Sequence, residues 1–164
     1  MKSSKVKLMT ITAMLAALVF VVTRFIQIPI PLGYFNIGNS VILLGCLNLP
    51  LGYGMFVGGV GSAIADLTSY PVYTIPTLLI KAVMVLVYQL MNKIPIKNTM
   101  GRAILASAVA TLIPLFGYTI VGGFLYGGFV AGLAQFPGLF LEYLANLVIF
   151  TALYKPVSKI FRLS

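Results

Sequence analysis

Three side chains can carry charge within otherwise apolar segments of this chain: Asp66, Lys81 and Glu142. Asp66 and Glu142 are its only acidic residues, against eleven Lys and Arg. An ionisable group at membrane depth is costly, so it faces a cavity or a partner. Asp66 closes one apolar run, Lys81 lies about one and a half helical turns into the next, and Glu142 lies about two turns into the last. The three can therefore converge in one half of a helix bundle. Two roles fit them. Lys81 can pair with Asp66 or with Glu142 and fix helix packing, or it can line a ligand pocket together with one carboxylate. Aromatic and amide residues gather on the same side: Tyr34, Asn36, Asn39, Tyr70, Tyr73, Tyr118, Gln135 and Asn146. A single tyrosine near an interface reads equally well as a membrane-belt anchor. Several of them on three connections of one face favour a small-molecule pocket.

Missing residue types exclude other chemistries. There is no histidine and only one cysteine, Cys46, which rules out a Cys/His zinc site, a serine–histidine triad and an intramolecular disulfide. No GxxxxGK[ST] stretch is present, so the chain has no P-loop for ATP. One aspartate is too few for an aspartyl intramembrane protease. Neither enzyme activity nor a cofactor is expected. A net charge of +9 raises the question of nucleic acid. That reading needs a basic face on a soluble body, whereas these cations sit at the ends of long apolar runs, so no nucleic-acid partner is expected.

The elements that must position these residues are membrane spans. Of 164 residues, 60% are hydrophobic and 8% charged, against about 25% charged in soluble domains. A span needs about 20 apolar residues. Six spans are predicted, in one bundle covering 1–164: Leu8–Ile28, Asn36–Leu49 (short), a third from the Leu49–Gly52 turn to Leu67, Pro76–Met91, Arg102–Val121 with a kink at Pro114, and Leu133–Tyr154 entered or interrupted at Pro137. The N-terminal run imitates a secretory signal but lacks an A-x-A-like site, so it reads as the first span. Lys2, Lys5 and Lys7, then Lys93, Lys97 and Arg102, then Lys155, Lys159 and Arg162 all fall on one side of a six-span chain. That side is expected to be cytoplasmic, with both termini inside. The opposite, external face then receives Ile28–Ser40, Asp66–Thr77 and Val121–Gln135, rich in Tyr, Gly, Pro and amides.

Small residues recur in the third span at Gly54, Gly58, Ser62 and Ala65, a spacing that lets helix backbones approach closely within a bundle. Ala13 and Ala17 give the first span an AxxxA spacing. It serves either packing within the chain or docking of another membrane subunit.

Three segments carry a family resemblance. Tyr34–Leu44 (YFNIGNSVILL) resembles the opening of the second helix in substrate-binding S components of energy-coupling factor (ECF) transporters. Gly54–Leu67 is similar to their GxxxGGxGSAxADL run, and Tyr70–Lys81 to the GYPxYxPxTLxIKG stretch that follows. Asn39 stands where an Asp is expected and Ala82 where a Gly is expected. The first change removes an acidic group and bears on the substrate more than on the family.

The resemblance implies a prokaryotic, multi-pass cell-membrane protein that binds a vitamin at its external face. A separate transmembrane coupling subunit and two ABC-type ATPases would supply the energy, consistent with the missing P-loop. It assigns Ala13 and Ala17 to the coupling-subunit contact. The similar branch takes riboflavin, hydroxymethylpyrimidine or vitamin B6. Tyr34, Phe35, Tyr70, Tyr73, Tyr118 and Tyr126 offer stacking faces for one small heteroaromatic ring. Lys81 can donate, Glu142 can accept, and Asn36, Asn39, Gln135 and Asn146 can satisfy what remains. Pyridoxine or hydroxymethylpyrimidine is therefore expected first and riboflavin next. The alternatives are a stand-alone secondary transporter driven through Glu142 or Asp66, or a structural membrane subunit that binds nothing.

Overall fold

A computed structural model describes residues 2–162. Six helices run in order: α1 (Lys2–Phe25), α2 (Gly38–Gly45), α3 (Leu51–Ser69), α4 (Thr74–Met91), α5 (Thr99–Leu125) and α6 (Phe129–Arg162). A two-stranded hairpin, β1 (Ile28–Ile30) and β2 (Gly33–Phe35), joins α1 to α2, and a 3₁₀ turn, Pro71–Tyr73, leads into α4. This is the all-α membrane bundle expected from the sequence. α1, α4 with its preceding turn, α5 and α6 are long and apolar enough to cross a bilayer. Phe25, Ile75, Phe124, Phe129 and Val130 are between 71% and 86% exposed, far more apolar surface than a water-soluble monomer tolerates, so these side chains face lipid.

The remaining two helices cross differently. α3 has 19 residues, about 28 Å at helical rise, but glycine, serine and Asp66 dilute its apolar character. It packs between α1 and α4 on its glycine face while Phe56, Ile64 and Leu67 stay exposed on the other, and its glycines make that close packing possible. A methyl group at Gly61 would meet the Ala16 carbonyl at 2.8 Å, and one at Gly58 would meet Val85 and Ile42 at 3.0 Å. The small residues of α3 therefore serve packing within the chain. α2 has only eight residues, about 12 Å, and reaches the far side only with the turns at 46–50. Gln89 Nε2 fastens that segment by donating to the Leu49 carbonyl at 3.0 Å.

Other boundaries differ from the expected ones. The stretch Val121–Gln135 is not a long connection, because α5 and α6 continue through it and leave only Tyr126–Gly128 between them. Gly127 (φ 89°) and Gly128 (φ 135°) make that turn, with backbone angles that residues bearing a Cβ rarely adopt. The other glycines there allow α5 and α6 to cross closely: a Cβ at Gly132 would strike the Thr119 carbonyl, and one at Gly122 would strike Gln135. Ile28–Ser40 is likewise not an irregular loop but a hairpin with Pro29 opposite Tyr34, turned at Leu32 with φ 61°. The prolines at 114, 137 and 156 all lie inside continuous helices.

The three basic clusters share one end. Lys93, Thr99 and Arg102 line one cavity with Tyr154 and Ser158 of α6, and Met9 and Ala13 of α1 border one groove with Gly52 and Tyr53 at the start of α3. The hairpin and the 3₁₀ turn lie at the opposite end.

Candidate functional site

The site builds upward from Glu142 in α6. Its Oε1 accepts from Asn39 Nδ2 at 2.9 Å, Asn39 Oδ1 accepts from Lys81 Nζ at 2.5 Å, and Lys81 Nζ lies 4.0 Å from the same Glu142 oxygen. Of the two partners left open by the sequence, Lys81 thus faces Glu142. All three side chains are buried. A buried ion pair needs further hydrogen bonds to hold its remaining atoms, and here Asn39 bridges the pair. The asparagine in place of an expected aspartate supplies both an acceptor for Lys81 and a donor for Glu142, which a carboxylate cannot do. Asn146, one turn beyond Glu142, locks the start of α2: its Oδ1 accepts from the Ser40 amide and hydroxyl, both at 2.8 Å, and its Nδ2 donates to the Asn36 carbonyl at 2.8 Å.

Asp66 belongs to a second network. It accepts from the hydroxyls of Tyr34 and Thr77, and Thr77 Oγ1 lies 3.0 Å from the Tyr118 hydroxyl. Burial and the neighbouring Asp66 carboxyl push the Tyr34 phenol well above the ordinary tyrosine range, so it remains a donor. Lys81 Nζ sits 5.2 Å from the centre of the Tyr118 ring, within reach of a cation–π attraction. That ring connects the two networks.

Above them is a cavity lined by Gly33, Tyr34, Asn36, Asp66, Tyr70, Tyr73, Tyr118, Gln135, Leu139 and Glu142. Its tyrosines pack on one another, Tyr34 against Tyr70 with centroids 5.3 Å apart and Tyr73 edge-on to Tyr118 at 6.0 Å. Gln135 accepts from the Tyr73 hydroxyl at 3.4 Å, while its buried amide nitrogen has no partner among the described residues. The hairpin forms the roof, with Ile30 packed on Gly138 of α6. The free space is about 30 Å³, room for roughly two waters, so any ring that enters must displace tyrosines or the hairpin.

Of the residues singled out in the sequence, Tyr34, Asn36, Asp66, Tyr70, Tyr73, Tyr118, Gln135 and Glu142 line the cavity. Asn39, Lys81 and Asn146 do not; they form the hydrogen-bonded layer beneath it. Phe35 is turned away because adjacent strand residues point to opposite faces. Tyr126 is 40% exposed and does not line the cavity, its ring centroid lying 6.3 Å from that of Tyr73. The sequence reading missed Thr77, which lies one turn before Lys81 on the same face of α4, a periodicity that would have flagged it. Ala13 and Ala17 are exposed on α1. Ala13 borders an apolar groove of about 440 Å³ with Met9, Tyr53 and Phe56.

Lipid-facing helices thus surround a partly open, tyrosine-lined cavity with a charged floor. The family model for the ECF-type riboflavin transporter S component matches residues 3–159, and the chain belongs to that family, one of transporter components. A protein from Pyrococcus woesei, described only as an uncharacterized protein in a gap 3′ region, is 35% identical over 111 residues, 66% of this chain and 74% of that protein. A solved structure described as the S component of a bacterial ECF transporter shares the fold with a TM-score of 0.75 and 20% identity, over 96% of this chain and 98% of that one.

Proposed function

We propose that the chain is the substrate-capturing subunit of an ATP-driven ECF-type importer in a prokaryotic cell membrane, and that its cargo is a vitamin built on one heteroaromatic ring, such as pyridoxine or hydroxymethylpyrimidine. The observation that carries this reading is the small tyrosine-lined cavity floored by Asp66 and Glu142 at the end away from the basic clusters. Tyrosine faces suit a flat ring. Glu142 and Asp66 accept from hydroxymethyl or amino groups, and the unpartnered Gln135 amide donates to a ring nitrogen or exocyclic oxygen. Family membership favours riboflavin as the second reading. That molecule carries three fused rings and a polyol chain, so it needs a much larger opening of the hairpin and tyrosines.

Energy comes from elsewhere, since the chain has no P-loop. The partners are a transmembrane coupling subunit and two ABC-type ATPases, with Ala13 and Ala17 on the docking face. The test is vitamin uptake into proteoliposomes. Accumulation is expected only when coupling subunit, ATPases and ATP are all present. Accumulation by the chain alone, driven by a proton gradient, would instead identify a stand-alone secondary transporter.

A further inference from the structure

A second cavity lies at the basic end, between the 46–50 turns and α4, α5 and α6. Its volume of about 380 Å³ is partly open and is lined by groups that include Tyr88, Gln89, Lys93, Thr99, Arg102 and Ser158. Three features set it apart from a solvated surface hollow. Tyr88 is 1% exposed, and its buried hydroxyl has no partner among the described residues. Arg102 Nε is likewise buried and unpartnered. Finally, among the described residues no side-chain carboxylate lines this cavity beside Arg102 and Lys93, because the two acidic side chains, Asp66 and Glu142, line the opposite one.

Leaving buried donors unsatisfied is unfavourable, most of all for a charged group. The group that answers them is an oxyanion able to accept from a guanidinium and a phenol together. We propose that this cavity binds a phosphate group, with Arg102 as its charge partner, Lys93 at its mouth and the Tyr88 hydroxyl donating from the floor. The cavity opens at the level where the basic ends of the helices meet the headgroups, and basic pockets between helices on that side suit anionic lipid. A phospholipid headgroup and a soluble phosphate monoester present the same chemistry, and the two can be told apart.

The full chain is purified in detergent, stripped of lipid, and its retention of phosphatidylglycerol against phosphatidylcholine is read by native mass spectrometry. In a second arm, binding of inorganic phosphate and glycerol 3-phosphate is measured by equilibrium dialysis. Arg102→Gln is expected to lower phosphate retention about ten-fold, the scale of one charge-assisted hydrogen bond, and Tyr88→Phe to lower it several-fold. Loss confined to the first arm identifies lipid as the source, and loss in the second identifies a soluble phosphate. Wild-type protein that binds neither, or variants that bind both as well as wild type, overturns the proposal. Tyr88→Phe deletes a single oxygen, so it keeps the test valid even where Arg102→Gln folds poorly.

Discussion

Replacing Lys81 with methionine deletes one member of a buried pair while nearly preserving its volume. At 4.0 Å and an effective dielectric constant of about 20, two unit charges attract by about 4 kcal/mol. The substitution also strips Asn39 Oδ1 of its donor and leaves Glu142 without its counter-charge. Breaking a buried pair from one side costs about 3–5 kcal/mol, so Lys81→Met is expected to destabilise by that amount, a fall in Tm on the order of 10 °C for a chain of this size. Glu142→Gln in the same background removes the stranded charge and should restore most of the loss. The assay is a double-mutant cycle followed by loss of helical circular dichroism in detergent. A coupling of about 2 kcal/mol or more is expected, as for groups in direct contact. Strictly additive single effects would refute the inference that Lys81 and Glu142 act as a pair.

The other predictions concern separate parts of the molecule. Tyr34→Phe removes a donor to Asp66 and leaves that buried carboxylate one partner short, which should destabilise by about 1–3 kcal/mol in the same unfolding assay. Gly61→Leu drives a side chain into the Ala16 carbonyl and should destabilise by about 1–3 kcal/mol through overpacking. Gly52→Ala meets nothing within 4 Å and should be neutral or stabilising by up to about 1 kcal/mol; the same unfolding assay reads both. Ala13→Trp with Ala17→Trp, on exposed positions of α1, should leave Tm and vitamin binding unchanged while abolishing co-purification with the coupling subunit.

Much of this site was legible in the sequence because burying charge in an apolar chain is so costly. With two acidic residues and one lysine away from the basic clusters, Asp66, Lys81 and Glu142 had few places to go, and the tyrosines and amides near them followed. The boundaries were less legible, and the reason is glycine. In Val121–Gln135 the same residue type makes a turn at Gly127 and Gly128 but permits close helix crossing at Gly122 and Gly132, a difference that depends on the neighbouring helix and not on the local sequence. Proline misled in a related way: Pro137 lies inside α6, where the last span was expected to be entered or interrupted. The pairing of Lys81 with Glu142 over Asp66 was not legible at all. It depends on Asn39 in α2 arriving between them, and on Tyr34 and Thr77 occupying Asp66 first. The hairpin hid behind its prolines and Leu32, which carries none of the asparagine or glycine usual in a tight turn.

The most direct test of the central claim is calorimetric titration of the purified full chain, without its partners, with pyridoxine, hydroxymethylpyrimidine and riboflavin. Saturable one-to-one binding of a single-ring vitamin, weakened by Tyr70→Ala at the cavity wall, is the predicted result. Tight binding of riboflavin alone would move the cargo to the larger vitamin and require the hairpin and tyrosines to open widely. No binding of any of the three would contradict capture of a heteroaromatic vitamin by this cavity.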